Sequence, residues 1–131
     1  MGIISALSSI IIGKIIFYYL YELAKKGMNY FSGKPDYKDA VKKILDSIST
    51  NKNVIVDISK IVDESGEMDN AAADKILKLG YIQTQIIKMV DSKNSEIDET
   101  ELKNELKTIL IKSWSDLGNK SVDKVKKSLK R

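Results

Sequence analysis

The sequence contains no cysteine and no histidine, and it has one proline and one arginine among its 131 residues. Without cysteine the chain has no disulfide, no thiolate nucleophile and no cysteine-based metal site. Without histidine it lacks the usual general base and the commonest zinc ligand. Glycine-rich phosphate loops, nucleophile elbows and the zinc-protease motif are absent as well. We expect no catalytic residue, and the sequence predicts a protein that is not an enzyme.

The charged residues are mostly lysines and acids, and they do not favour a nucleic-acid partner. The net charge is +4, but only Arg131 of the 22 basic residues is an arginine. Arginine is the side chain best suited to bidentate contacts with phosphates and bases, so we expect no specific nucleic-acid partner. Abundant lysine, isoleucine, leucine and glutamate with few glycines favour an all-α protein instead.

An apolar segment occupies residues 2–23. Eleven isoleucine, leucine or phenylalanine side chains lie between Ile3 and Leu23, and they contribute about −3 to −7 kcal/mol on an insertion scale. Lys14 near the middle costs about +2.5 to +3.5 kcal/mol. The sum predicts a marginal membrane span. Its interfacial residues are Tyr18, Tyr19 and Tyr21 as an aromatic belt, and Lys25 and Lys26 among the headgroups.

The position of the charges predicts a single-pass membrane protein with a cytoplasmic C-terminal domain, because Lys25 and Lys26 follow the segment. A cleaved signal peptide is not expected, since no charged side chain precedes Lys14 and the chain begins at Met1. Three alternatives stay open: a core helix of a soluble bundle, an interfacial helix, and an assembly helix. The assembly helix would have one polar stripe, formed by Lys14, Tyr18, Tyr21 and Lys25.

We predict two units, an N-terminal hydrophobic helix in residues 1–32 and a helical domain in residues 33–131 with a basic C-terminal tail. Gly33 and Pro35 mark the boundary, because glycine commonly follows a helix end and proline suits a first helical turn. About five helices are expected in the domain. The first has an apolar face at helical spacing, formed by Tyr37, Val41, Ile44, Leu45 and Ile48.

Residues 53–66 have an ambiguous pattern. Val54, Val56 and Ile58 alternate as in a strand, whereas Ile55, Ile58, Ile61 and Val62 have helical spacing. Because no other segment offers a partner strand, we predict a helix here.

Two aspartates are predicted N-caps. Asp69 would cap a long helix running to about Val90, with a core side formed by Ala73, Ile76, Leu77, Thr84 and Ile87. Asp98 would cap a helix that ends at Gly118-Asn119, with an apolar face formed by Leu102, Leu106, Ile109, Leu110, Trp114 and Leu117.

Two acidic loops contain these caps, and the two loops form a weak internal repeat. Acids close together suit hard cations, which take oxygen ligands. The candidate ligands of a divalent cation are Asp63, Glu67 and Asp69 in the first loop and Asp91, Glu96 and Asp98 in the second. The EF-hand pattern fails, because in residues 91–102 Lys93 and Ser95 occupy the third and fifth positions and Leu102 occupies the last ligand position. Because acids also gather at helix N-termini for capping, we expect capping rather than a metal cofactor.

The segments ValAspGluSerGlyGluMetAsp (62–69) and SerGluIleAspGluThrGluLeu (95–102) resemble the acidic turns of TerB-like tellurite-resistance domains, over residues 54–117 at most. The resemblance implies an all-α fold, acidic residues that bind metal, and in some members an N-terminal hydrophobic membrane helix.

These patterns predict a non-enzymatic, membrane-anchored adaptor or a stress- or envelope-associated protein. Its expected partners are membrane lipid and either another protein or further copies of the chain. Two alternatives stay open. One is a membrane-active protein of the holin-like, pore-forming or immunity type, and the other is a structural subunit of a filament or complex built on the apolar N-terminal helix.

Overall fold

The computed structural model describes residues 8–92 and 96–129, and these residues form helices joined by short turns, with no strand among them. The all-α prediction is confirmed in this part of the chain. The α-helices are α1 (Ser9–Lys26), α2 (Lys38–Ser49), α3 (Lys52–Ser65), α4 (Asn70–Leu77), α5 (Gly80–Ser92), α6 (Glu99–Ser113) and α7 (Asn119–Leu129). Shorter pieces are the 3₁₀ turns Gly27–Tyr30 and Pro35–Tyr37 and a π-helical segment, Trp114–Gly118.

Helix α1 is a core helix of the bundle. It packs against α2, α3, α7 and the π-helical segment. One face of α1 is almost completely buried there, through Ile12, Ile15, Ile16, Tyr19, Leu20 and Leu23. At about 1.5 to 3 kcal/mol for each fully buried large apolar side chain, this face contributes a substantial part of the core. This face of the apolar segment therefore faces protein, and it shares one core with the helices that follow residue 32.

Within residues 8–92 and 96–129, no helix combines the length and the hydropathy that a membrane span requires. Residues 2–7 of the predicted apolar segment lie outside the described residues.

The ambiguous segment is helical, as predicted. Helix α3 begins after Asn51, whose side-chain oxygen accepts a 3.1 Å hydrogen bond from the Val54 N–H. The helix ends at Gly66, which has a φ of 77°. Glycine suits this left-handed position because other residues meet a steric penalty there.

The long helix predicted from Asp69 to Val90 is two helices. Helix α4 ends at Leu77, the N–H of Lys78 bonds back to the carbonyls of Lys75 and Ile76, and α5 begins at Gly80. This break changes which residues of α5 face the core. Ile82 and Ile86 are buried, whereas the predicted core residues Thr84 and Ile87 are exposed. The periodicity of an unbroken helix gave the wrong face because the chain changes direction at residues 78–79.

The chain stays helical where we predicted an end at Gly118-Asn119. The π-helical segment connects α6 directly to α7, and it places Trp114 against Tyr19 of α1 with ring centroids 4.9 Å apart at 83°. A Cβ on Gly118 would lie 2.8 Å from the Trp114 ring. The missing side chain of Gly118 thus leaves space for the indole.

Tyr19 makes the buried polar contacts between α1 and α6. Its hydroxyl donates a 2.8 Å hydrogen bond to the carbonyl of Leu110 and lies 2.9 Å from the hydroxyl of Ser113. Burial raises the pKa of Tyr19 well above its usual range, so the phenol stays protonated and keeps its donor. The predicted role of Tyr19 in an interfacial aromatic belt is wrong, because this side chain is completely buried.

Candidate functional site

The acidic loops contain the predicted helix caps. Asp69 accepts a 2.8 Å hydrogen bond from the Ala72 N–H at the start of α4. Asp98 accepts a 3.0 Å hydrogen bond from the Glu101 N–H at the start of α6. Both capping predictions are confirmed, and each cap satisfies a backbone donor that the helix leaves without a partner.

The other candidate metal ligands lie near the ends of α3 and α5 or in the loops that lead to these caps. Asp63 is on the exposed side of α3, Glu67 is half-buried in the turn before α4, Asp91 lies near the end of α5, and Glu96 is exposed in the loop before α6. In residues 8–92 and 96–129 no three acidic side chains are grouped as a cation would require. Residues 93–95 of the second loop lie outside the described residues.

Glu101 lies in the first turn of α6, after the second acidic loop, and is part of a polar cluster. Its carboxylate accepts hydrogen bonds from the Tyr37 hydroxyl at 2.7 Å and from the Lys34 ammonium at 3.0 Å. The Tyr37 hydroxyl also accepts a 3.0 Å bond from the Asp98 N–H. Two hydrogen bonds hold the pKa of Glu101 below its usual value. The bond from Tyr37 has the larger effect, and the bond from Lys34 has the next largest. This cluster ties the turn before α2 to the start of α6.

We expect acid to weaken this connection. The folded state lowers the pKa of Glu101, so this group stabilises the fold above the usual value of 4.5 and loses its effect as pH falls through 4.5 to the lowered value. Glu101→Gln removes this titration. Melting curves from pH 7 to about pH 3 should therefore show a smaller acid-induced loss of stability in Glu101→Gln than in the wild type.

Glu99→Gln is the matched control, because Glu99 lies in the same helical turn and pairs with Lys103 at 3.2 Å without a tyrosine donor. An identical acid response of Glu101→Gln and wild type would contradict the proposed role of the Glu101 cluster.

The residues predicted to lie at a membrane or interface have different environments. Lys14, Tyr21 and Lys25 are exposed, and the Lys25 ammonium lies 4.8 Å from the Tyr21 ring centroid. Tyr18 is half-buried, with the Lys124 ammonium of α7 5.0 Å from its ring centroid. Lys26 is exposed and pairs with Glu22 at 3.4 Å. Lys14 and Tyr18 belong to the surface feature that we consider the candidate site.

That feature is a groove of about 810 Å³ between three helices, which we call the α1–α3–α7 groove. Its lining comprises Ile10, Gly13, Lys14, Phe17 and Tyr18 from α1, Lys52, Ile55, Val56, Ser59, Lys60 and Asp63 from α3, and Val125, Ser128 and Leu129 from α7. A volume of this size lies in the range of known ligand pockets.

The groove contains most of the large apolar side chains that are exposed in residues 8–92 and 96–129. Six large apolar side chains are exposed among the residues that the structure describes, and four of them line the groove. These four are Ile10 (79% exposed), Phe17 (45%), Val56 (51%) and Leu129 (51%). Single exposed apolar residues are ordinary on protein surfaces, but a contiguous group marks an interaction site.

Helical periodicity explains why these side chains meet. On α1 the lining residues recur at intervals of three, one, three and one, and α3 continues the same pattern from Lys52 to Asp63. Such spacing places side chains in one stripe along a helix. Each of the two helices therefore has one stripe in the core and a second, partly apolar stripe in the groove.

The sequence pattern alone did not identify the groove, but it contained one sign of it. Val56 produced the apparent strand alternation of residues 54–58, because it is an apolar residue outside the core face of α3. Phe17 likewise lies outside the core face of its helix, α1, and it made the apolar segment hydrophobic on more than one side. The sign of the groove in the sequence was that these helices contain more apolar residues than one core face accommodates.

Comparison of the chain with protein-family models, curated proteins and solved structures finds no match. The resemblance to TerB-like domains stays a prediction.

Proposed function

We propose that this protein is a non-enzymatic adaptor that binds the apolar face of a helix of another protein in the α1–α3–α7 groove. The observation that carries the proposal is the concentration of exposed apolar side chains in this one concave surface. Burial of such side chains in a complex removes apolar area from water, at roughly 25 cal/mol per Å².

The groove has the form of a helix-binding site. It lies along the exposed stripes of α1 and α3, and amphipathic helices bind in grooves of this kind through anchors spaced one helical turn apart. Gly13 leaves room for such an anchor, because a Cβ placed there would meet no atom within 4 Å. A partner side chain can therefore reach the backbone of α1.

The chemistry of the described residues supports a binding function over a catalytic one. The acids with lowered pKa values, Glu101 and Asp116, accept hydrogen bonds from tyrosines. These contacts join segments of the fold, and neither acid lines the groove. The described lining of the groove offers lysines, two serines and one carboxylate around an apolar floor.

We expect Val56→Asp to weaken partner binding at least about tenfold, which corresponds to about 1.4 kcal/mol, because the change puts a charge into an apolar contact. The matched control is Ile87→Asp, since Ile87 is 48% exposed on α5 and lies outside the groove. A photo-crosslinking residue at position 56 or 87 in living cells identifies the partner. Affinity is then measured with the purified partner and the wild type or either variant.

A second pair of variants tests the same surface without a charge. Gly13→Leu fills part of the groove, whereas Gly80→Leu adds the same side chain at the start of α5, where a Cβ also meets no atom within 4 Å. We expect Gly13→Leu alone to block binding. A partner that binds both groove variants as tightly as the wild type would refute the proposed function, as would the lack of a crosslinked protein specific to position 56.

A further inference from the structure

The charged side chains around the groove indicate the chemistry of its partner. Among the described residues, three lysines line it, Lys14 on α1 and Lys52 and Lys60 on α3, together with a single acid, Asp63. A fourth lysine, Lys124, lies close by, above the Tyr18 ring. An apolar floor with a mostly cationic border attracts a segment of opposite charge, which increases both the association rate and the selectivity of binding.

We propose that the occupant of the α1–α3–α7 groove is a short acidic amphipathic helix, with an apolar face on the groove floor and carboxylates facing Lys14, Lys52 and Lys60. This inference rests on the adaptor function proposed above and names the chemistry of the partner.

The dimensions of the groove set the length of this helix. The lining residues of α1 extend from Ile10 to Tyr18, and those of α3 extend from Lys52 to Asp63. At 1.5 Å per residue these stripes are about 12 Å and about 16 Å long. A helix of about three turns covers them, with apolar anchors at i, i+3 or i+4, and i+7.

The charges also distinguish this occupant from a second copy of the chain. A two-fold dimer places the same surface patch on both sides of its interface. Such a dimer through the groove would bring the lysines of one copy towards those of the other. Like charges disfavour that arrangement, whereas an acidic helix relieves their mutual repulsion.

A pair of synthetic peptides tests the inference with the full-length protein. Both peptides carry leucines at i, i+3, i+4 and i+7 and a side-chain staple, because short isolated helices are marginally stable. One has glutamates beside the leucines, and its twin has lysines at the same positions. Fluorescence anisotropy measures the Kd of each peptide, and circular dichroism shows that the two are equally helical.

We expect the acidic peptide to bind at least about tenfold more tightly than the basic twin at low salt. This preference should shrink as ionic strength rises from about 0.01 M to about 1 M, since the Debye length falls from about 30 Å to about 3 Å. The triple variant Lys14→Glu/Lys52→Glu/Lys60→Glu should reverse the preference. A control triple variant with the same net charge, Lys38→Glu/Lys75→Glu/Lys88→Glu, changes exposed lysines outside the groove and should keep it.

Several results would overturn the acidic-helix inference. Equal Kd values for the twins with weaker binding of both to Val56→Asp would leave an apolar adaptor groove without charge selection. Equal Kd values that Val56→Asp does not change would remove the proposed function too. Binding to vesicles of anionic phospholipid, without binding of the acidic peptide, would identify a membrane surface as the occupant. A dimer that Val56→Asp dissociates would identify a second copy.

Discussion

Ile16→Ala is expected to destabilise the protein by about 2 to 5 kcal/mol, because it removes a completely buried side chain from the face of α1 that packs into the bundle. The cost combines lost burial of methylene groups with the cavity that remains. Denaturant unfolding followed by circular dichroism measures this change as a lower midpoint with a similar slope.

Ile10→Ala is the control within the same helix and with the same pair of residue types. Ile10 is 79% exposed, so its loss is expected to change the unfolding free energy by no more than about 0.5 kcal/mol. Similar small effects of both substitutions would show that α1 contributes little to the folded domain. That outcome would contradict the core packing of α1 and favour the separate N-terminal helix predicted from the sequence.

Trp114→Ala is expected to cost about 3 to 5 kcal/mol. The indole is 6% exposed and packs edge-on against the ring of Tyr19. Its loss leaves a cavity where α1 meets the π-helical segment, and it removes an aromatic pair that contributes about 0.5 to 1.5 kcal/mol beyond its buried area. Chemical unfolding at constant pH measures the effect.

Gly118→Ala shows whether the approach of glycine and indole is responsible. In the wild type the added methyl group meets the Trp114 ring, and we expect a cost of about 1 to 3 kcal/mol. In the Trp114→Ala background the clash is gone, and the better helix propensity of alanine should stabilise the protein by up to about 1 kcal/mol. Additive effects in this double-mutant cycle would contradict direct contact between the two residues.

Local signals allowed several parts of the fold to be predicted. Asp69 and Asp98 act as N-caps because an aspartate before an apolar periodic run offers an acceptor to the first free N–H groups. The core face of α6 follows directly from the spacing of Leu102, Leu106 and Ile109, which are all buried. Both features depend on residues within about one or two helical turns.

Local sequence signals did not predict the break between α4 and α5. Residues 70–90 have no proline, and Gly80 by itself costs only about 1 kcal/mol in a helix. Burial of Ile76 and Leu77 on one side of the break and of Ile82 and Ile86 on the other requires two helix directions. Packing against neighbouring helices imposes these two directions, and the positions of those helices cannot be read from the sequence.

The sequence by itself determined that the chain is helical, where two of its helices begin, and that its first helix has more apolar surface than one face can use. Only the tertiary structure decided where that surface goes. An all-round apolar helix has the same pattern whether lipid, core or partner covers it, because the hydrophobic effect has no direction of its own. Packing against α2, α3, α7 and the π-helical segment buries Ile12, Ile16 and Tyr19 and leaves Ile10 and Phe17 at the α1–α3–α7 groove.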